Sequence, residues 1–568
     1  MAAWLLVTAL WAASPALAQD AGQGAARPGP PWCAGGLLSR IEVRNHSLFA
    51  PEDIRHHRFA WALGLANWAH VRTRADYLRN ELLVDEGDCY DPARVGESVR
   101  LIRDLDFIAR VEATPRRLAD STWALHVETW DEWTTQVGVD FDVESQLQFK
   151  GFYVTEKNLL GRGLRLSFRY RDFRERDDRS LQLSTTRFLG TRANASVGAG
   201  TTRTGGFFLQ EVSYPFVSEA GRWSLDTRFH FEDREYSYLT GNHAAESHLL
   251  FPLQDLDGRV RVARRFGAPG ALVVVGAEVN GLDRTVAGPA LRVYRGAFDG
   301  AAPATDSLAA RLAGQDEPLS FVEVGATVGL RRIRFGTGQG LDRVSGVQNV
   351  AMGSELLLTL GHSVATWGNP GAYSWGRVDG FAGWAGGPVV ANASVQAEGR
   401  LRDGAAGSAS RWRDLALRGR GVAYLQPGPG TSNTLLAGLR FDLRRNVDLP
   451  FQQALGGEEG VRSYREDEVP VGSSLVAYAE HRLNLDWFHP AVDAGFVLFG
   501  DLGRGWGSGV PFGIDTGWRA AVGGGLRLGF PAGTGSVTRL ELAWPVGGPD
   551  AGRAPVFRTY WAPSLTSR

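Results

Sequence analysis

The chain has 568 residues, a formal net charge of −1 and a mean hydropathy of −0.18. So even a balance of charge excludes a polyelectrolyte partner such as nucleic acid, and so modest a hydropathy excludes a bundle of membrane-spanning helices. Glycine, at 72 residues, and tryptophan, at 18, are abundant, whereas Lys150 and Lys157 are the sole lysines.

The first residues, MAAWLLVTALWAASPALAQ, read as a secretory signal peptide over residues 1–18. Residues 5–11 are its apolar core and Ala16-Leu17-Ala18 its small-residue cleavage site. A linker follows over residues 19–37, with Gly and Pro concentrated in 21–31. Export places Cys33 and Cys89 in an oxidising compartment where a disulfide is permitted. A Cys33–Cys89 bridge is expected, with two free thiols as the alternative. After the signal no run of about 18 uninterrupted apolar residues occurs, so no spanning helix is predicted.

Residues 38–131 mix two periodicities. RIEVRN (40–45) reads as a first strand. In RADYLRNELL (74–83), Leu78, Leu82 and Leu83 share one helical face. Asp91 is placed to cap a helix over residues 92–105, with Pro92 at its first position and Val95, Val99, Ile102 and Leu105 at helical spacing. Strands over 107–114 and 122–129 complete the order β-α-α-β-β. Residues 50–72 read as an insertion after the first strand.

From residue 132 to 568 the pattern is alternation. Val137, Val139, Phe141 and Val143 oppose Gly138, Asp140, Asp142 and Glu144. Leu164, Leu166, Phe168 and Tyr170 oppose Arg165, Ser167, Arg169 and Arg171. Such strands suit a soluble sandwich or a transmembrane barrel. Segments of roughly 9–11 residues match a tilted bilayer crossing. Trp223, Tyr238, Trp412, Trp487 and Trp544 recur near strand ends, where a membrane interface holds aromatics. No helical interlude breaks the run. The predicted fold class is therefore an all-β transmembrane barrel preceded by one small α+β domain. At about 27 residues per strand and connection, about 16 antiparallel strands fit. Residues 286–317 and 402–410 read as long external loops.

Within the barrel, Val497, Phe499, Asp501 and Gly503 share a face. A carboxylate facing lipid is costly, so Asp501 points into the lumen, as does Glu480 of YAEHRLNL. GRGWGSG (503–509) precedes no helix and reads as strand and turn glycine rather than a phosphate loop. His56-His57 has no ligand cluster around it, and no nucleophile elbow occurs. No enzymatic activity, cofactor or metal is expected.

Several strings resemble, in order, motifs of the BamA/TamA-like superfamily of bacterial surface-antigen barrels, whose relatives include the two-partner-secretion transporters. RNELLVDEGDCYDPARVGESVRLIRDLDFI, with its β-α-α-β-β order, is similar to a POTRA module. EKNLLGRGLRL resembles the N-L-x-G-x-G turn at the start of the barrel, through Asn158, Leu159, Gly161 and Gly163. LGGEEGVRSY resembles the V-R-G-Y/F loop, through Gly456, Gly457, Val461, Arg462, Ser463 and Tyr464. FGDLG matches the aromatic-x-D-x-G strand at Phe499, Asp501 and Gly503, and VTRLELAWPV resembles the penultimate strand. Two departures stand out. Ser463 replaces the family's glycine, which a φ > 0 backbone would penalise. The terminal aromatic is followed by APSLTSR.

The resemblance implies a loop folded back into the barrel, with Arg462 on Asp501 and Glu480 sharing the guanidinium. It implies a POTRA-like periplasmic domain over 38–131 and an outer-membrane barrel over 132–568. The implied function is outer-membrane protein insertion or translocation by strand templating at the barrel seam. Alternatives are a two-partner-secretion-type transporter of an unfolded client and a passive pore or receptor. The implied partners are outer-membrane lipids, unfolded outer-membrane or secreted clients, and periplasmic accessory proteins.

Overall fold

A computed structural model describes residues 33, 35–49, 51–56, 59–143, 147–173, 176–240, 246–294, 300–312, 319–364, 372–402, 411–428, 432–448, 450–457, 459–465, 468–485 and 491–562. The signal segment, most of the linker, His57, Trp487 and residues 403–410 lie outside this set.

The N-terminal unit contains β1 (Leu38–His46), α1 (Pro51–His56), α2 (Ala60–Ala69), α3 (Ala75–Glu81), α4 (Pro92–Arg103), β2 (Ile108–Arg117) and β3 (Trp123–Asp131). The sheet order is β1-β3-β2, with β1 parallel and β2 antiparallel to the central strand. Helix α4 starts where Asp91 accepts from the Ala93 and Arg94 amides at 2.8 and 3.4 Å, satisfying two orphan donors of its first turn. Its Val95 and Ile102 join Leu78, Leu82, Leu125 and Val127 in one core. Residues 50–72, an insertion in sequence, supply α1 and α2. Cys33 and Cys89 form a disulfide that ties the chain before β1 to the segment before α4.

The wall begins with β4 (Thr135–Val143), β5 (Leu147–Leu159), β6 (Leu164–Phe173), β7 (Arg176–Thr185), β8 (Asn194–Thr201) and β9 (Gly206–Tyr214). It continues through β10 (Trp223–Leu239), β11 (Glu246–Ala268) and β12 (Ala271–Val286), and the short β13 (Leu291–Tyr294) and β14 (Ala302–Pro303). Next come β15 (Leu319–Gln339), β16 (Val347–Val364), β17 (Tyr373–Gly386), β18 (Val389–Arg402), β19 (Trp412–Leu425) and β20 (Asn433–Arg445). After the small pair β21 (Gln453–Ala454) and β22 (Pro470–Val471) the wall resumes with β23 (Ser473–Leu485), β24 (Asp493–Trp506), β25 (Gly517–Gly529), β26 (Val537–Gly547) and β27 (Val556–Ala562). Excluding β21 and β22, these strands form one closed antiparallel barrel in which β27 and β4 are neighbours. Since β12 pairs directly with β15, β13 and β14 are an outer extension and, among the described residues, twenty strands make the wall. The expected count of about 16 is too low because several turns, such as those joining β11 to β12 and β17 to β18, take only two residues.

Strands β15 and β16 show why this sheet sits in lipid. Val328 and Leu330 face out opposite Leu358 and Leu356. On the other face Thr327 Oγ1 meets Thr359 Oγ1 at 2.9 Å, and Arg331 pairs with Glu355 and Glu219. The outer belt of exposed Val, Leu and Phe continues on β24, β25 and β26 through Leu498, Val522 and Leu542. A surface of that kind belongs against hydrocarbon, with the polar face turned to the lumen. Among the described residues no helix is long and apolar enough to cross a membrane. Trp223, Trp412 and Trp544 are exposed, as a membrane girdle requires. Tyr238, expected in that girdle, is instead fully buried with Phe512 and Leu312. Strands β10 and β11, at 17 and 23 residues, outrun the bilayer and end in a cluster capped by loops.

The N-terminal unit covers one mouth of the barrel. Asn158 Nδ2 donates to Thr73 Oγ1 at 2.7 Å, and its Oδ1 accepts from the Gly163 amide at 2.7 Å. The Arg74 amide donates to Gly161 O at 2.9 Å. A Cβ on Gly161, whose φ is 70°, would strike the Arg72 carbonyl, and one on Gly163 would overlap the Tyr77 ring. This turn is the seat of the domain. Further round the rim, Arg187 meets Glu81 at 2.7 Å and Arg103 Nη1 donates to Asn349 at 2.7 Å.

Candidate functional site

The described residues within 446–472 lie between the far ends of β20 and β23 and turn back into the lumen. The knot is made by the backbone: Leu455 N donates to Val469 O and Val461 N to Leu455 O, both at 2.9 Å, and Gly457 N to Tyr464 O at 3.1 Å. A Cβ on Gly456 would overlap the Arg465 carbonyl, and Gly457 has φ 100°, so the glycine pair is a steric requirement of the turn. Leu455, Val461, Tyr464 and Val471 bury against Val476 and Ala521 of the wall. Gly503 lies opposite; a Cβ there would run into Val461.

This seating brings Arg462 onto three carboxylates. Its Nη2 and Nε lie 2.6 and 3.0 Å from Asp501 Oδ1 and Oδ2, a bidentate fork. Its amide also donates to Asp501 Oδ2 at 3.0 Å. Nη1 donates to Glu480 Oε1 at 2.8 Å and lies 3.6 Å from Glu541 Oε2. Phe499 closes the other side, its ring centroid 3.6 Å from the guanidinium carbon, a cation–π contact at a buried arginine. Register explains the convergence. Glu480 on β23 stands opposite Phe499 on β24 and is therefore diagonal to Asp501, with all three on the lumen face.

Ser463 is fully buried, and its backbone is not in the left-handed region. The strain expected from replacing glycine therefore does not arise. What the serine carries instead is an Oγ without a hydrogen-bond partner.

The network extends beyond the residues singled out in the sequence. Glu480 also accepts from Arg539 Nη2 and Arg482 Nε, each at 2.8 Å. From Arg482 it reaches a second inward loop, residues 340–346, which enters from the domain-side mouth between β15 and β16. Arg482 Nη1 and Arg527 Nη2 donate to the Leu341 and Asp342 carbonyls at 2.6 Å, and Asn484 Nδ2 donates to Val344 O at 2.6 Å. Ser345 Oγ donates to Asp493 at 2.7 Å, and Tyr424 Oη to Asp342 at 2.5 Å. Since β15 and β16 are not wall neighbours of β23, β24 or β25, these contacts cross the lumen. The two loops are thus bridged through Glu480 and Arg482. A cavity of about 700 Å³ remains beside the Arg462 loop, lined by Asp379, Arg418, Arg440 and Asp442 among others. The spacing Glu480-x-Arg482 and Arg539-x-Glu541 on lumen-facing strand positions was the available signal for this network. For residues 340–346 the sequence has no comparable signal.

The last strand joins the same site from the seam. Arg558 Nε donates to Arg462 O at 2.8 Å and its Nη2 to Tyr464 O. Tyr560 Oη donates to Glu541 at 3.0 Å. On one side β27 pairs with β26 along its described length, and on the other it meets β4 to close the ring. Side chains clasp this junction at its domain-side end, where Lys157 Nζ donates to Ser536 Oγ at 2.8 Å and Gln136 Nε2 to the same atom at 3.4 Å.

No protein-family model matches the chain, and no curated protein does. Among solved structures the chain is similar to BamA from Haemophilus ducreyi lacking POTRA domains 1-3, at 11% identity and a TM-score of 0.38, covering 92% of this chain and 83% of that one. It is similar to CdiB from Escherichia coli at 13% identity and a TM-score of 0.41, covering 93% and 76%. Against CdiB from Acinetobacter baumannii the values are 10%, 0.34, 92% and 74%.

Proposed function

We propose that this chain is a member of the BamA/TamA-like superfamily, an outer-membrane factor that inserts or translocates client polypeptides by strand exchange at the β27–β4 seam. The N-terminal unit is then a POTRA-like domain in the periplasm. The observation that carries this reading is the seam itself. There the first and last strands of the wall, β4 and β27, meet, and Arg558 of β27 reaches from the junction to the Arg462 and Tyr464 carbonyls. No hairpin turn joins β27 to β4, unlike the consecutive strands of the wall, so a strand edge can be exposed there without breaking a hairpin.

Arg558 connects that edge to the buried arginine loop, so the loop's position and the seam's state are linked. The lumen, bridged by two loops and capped by the domain, supports exchange at the wall rather than passage through an open pore. The outer edge of β2 is a second place for an extended client to pair, although Pro115 and the exposed Glu112, Arg116 and Arg117 restrain it.

Photocrosslinking residues placed at Val137 of β4, at Phe557 of β27 and, as a control, at Val522 of β25 test the reading in cells. Adducts with newly exported polypeptides are expected at the first two positions and not at the third. Equal labelling at all three, or none at the seam, would sink it.

A further inference from the structure

Helix α2 carries an apolar face that the strand-exchange reading does not use. Leu63 is buried with Leu48, Phe49 and Ala491, and Ala66 packs beside Trp133 and Val492. Asn67 fastens the helix by accepting from the Phe49 amide at 3.1 Å and donating to the Phe49 carbonyl at 2.9 Å. On the opposite side Trp61, Leu65 and Trp68 are 74%, 55% and 82% exposed. Their spacing of four and three residues puts them within about 60° of one another around the helix. A rigidly held helix that shows two tryptophans and a leucine to the outside presents a binding surface rather than a packing accident.

Position and charge say what covers it. Phe49 and Trp133 each meet the ring of Phe530, at 5.7 and 5.9 Å. Phe530 directly follows β25, and Val522, Leu526 and Phe530 are exposed at every fourth residue on its outward face. Phe496 of β24 is paired with Leu526 and exposed beside it. The α2 contact surface is therefore continuous with the lipid belt, at the rim where the wall leaves the bilayer. Arg55 and Arg72 flank the helix and the sequence has no acidic residue between Asp53 and Asp76, while Arg74 further along is paired with Asp76 at 3.1 Å. Tryptophan between basic flanks is the composition of a helix that lies in the headgroup region of an anionic leaflet.

We propose that α2 is an interfacial membrane anchor. Trp61, Leu65 and Trp68 insert into the leaflet nearest the N-terminal domain, and the flanking arginines rest on anionic lipid headgroups. The anchor lies against Trp133, two residues before β4, so it fixes the domain and the adjoining lipid beside the seam.

The test uses the full chain, with its disulfide, in nanodiscs of phosphatidylcholine with or without phosphatidylglycerol. An environment-sensitive fluorophore is attached at Leu65→Cys and, as a control, at Glu112→Cys on β2. Lipids carrying a nitroxide on the acyl chain are expected to quench the first probe about twofold and leave the second unchanged, with stronger quenching when phosphatidylglycerol is present. A Trp61→Ser/Trp68→Ser variant, altered only at exposed positions, should melt like the parent and lose that quenching. A Leu65 probe that stays water-exposed in both nanodiscs would overturn the proposal. So would one shielded only when an unfolded client polypeptide is added, which would make α2 a protein-docking face.

Discussion

The two loops that enter the lumen from opposite ends are held in opposite ways. The far-end loop plants one charged side chain, Arg462, among wall carboxylates. The domain-side loop offers its own backbone carbonyls at Leu341, Asp342 and Val344, and the wall supplies the donors Arg482, Arg527 and Asn484. In the first the loop supplies the charge, with Arg558 added from the wall; in the second the wall supplies most donors, with the Ser345 and Asp342 side chains added from the loop. Substitution should therefore damage the first loop from within and the second mainly from across the lumen.

The largest effect is expected from Arg462→Ala, which strands Asp501 in a buried site, while Glu480 keeps Arg482 and Arg539, at a cost of about 3–5 kcal/mol. A fall in melting temperature in detergent, together with lost client insertion, would register it. An unchanged melting temperature would show that the site is wet. A simple exchange of Arg462 and Asp501 is not a clean test, because an acid at 462 would face Glu480. A double-mutant cycle with Asp501→Asn and Glu480→Gln separates the two partners.

Arg482→Leu comes next. It removes a partner of Glu480 and the donor to Leu341 O, at about 2–3 kcal/mol, less than Arg462→Ala because Arg462 and Arg539 still neutralise Glu480. As this residue touches both loops, it should also raise single-channel conductance. If Arg462→Ala opens the pore and Arg482→Leu does not, the two loops are independent. Gly503→Ala crowds Val461 and should cost about 1–2 kcal/mol, read by the same melting measurement. Ser463→Ala should lose nothing and gain up to about 1 kcal/mol, since it deletes a buried hydroxyl without a partner. Destabilisation there would mean that the hydroxyl has a partner in the membrane-embedded protein.

Much of this architecture was legible because it rests on periodicity and on charge in costly places. Alternation over about 430 residues specifies strands, and Asp501 in the middle of the apolar stretch 494–503 must avoid lipid. The strand number was not legible, because it depends on turn length, and two-residue turns leave little trace in an alternating sequence. Tyr238 illustrates the same limit, since a strand-end aromatic reads as interfacial until the length of β10 carries it past the membrane. The lumen network was half legible. Arg462, Asp501 and Glu480 stand in recognisable strings, whereas the spacing of Arg539 and Glu541 marks a shared strand face without naming the partner across it.

By itself the sequence determined a spanning β-wall, a small α+β unit ahead of it, and a glycine-arginine loop whose charge must meet an opposite one. Those features follow from side-chain chemistry and local repeat, which every residue carries with it. Tertiary structure decided the number of strands in the ring, its closure by β27 on β4, the exposed apolar face of α2, and the second loop across the lumen. These depend on which strands become neighbours and on backbone carbonyls, and every residue has the same carbonyl.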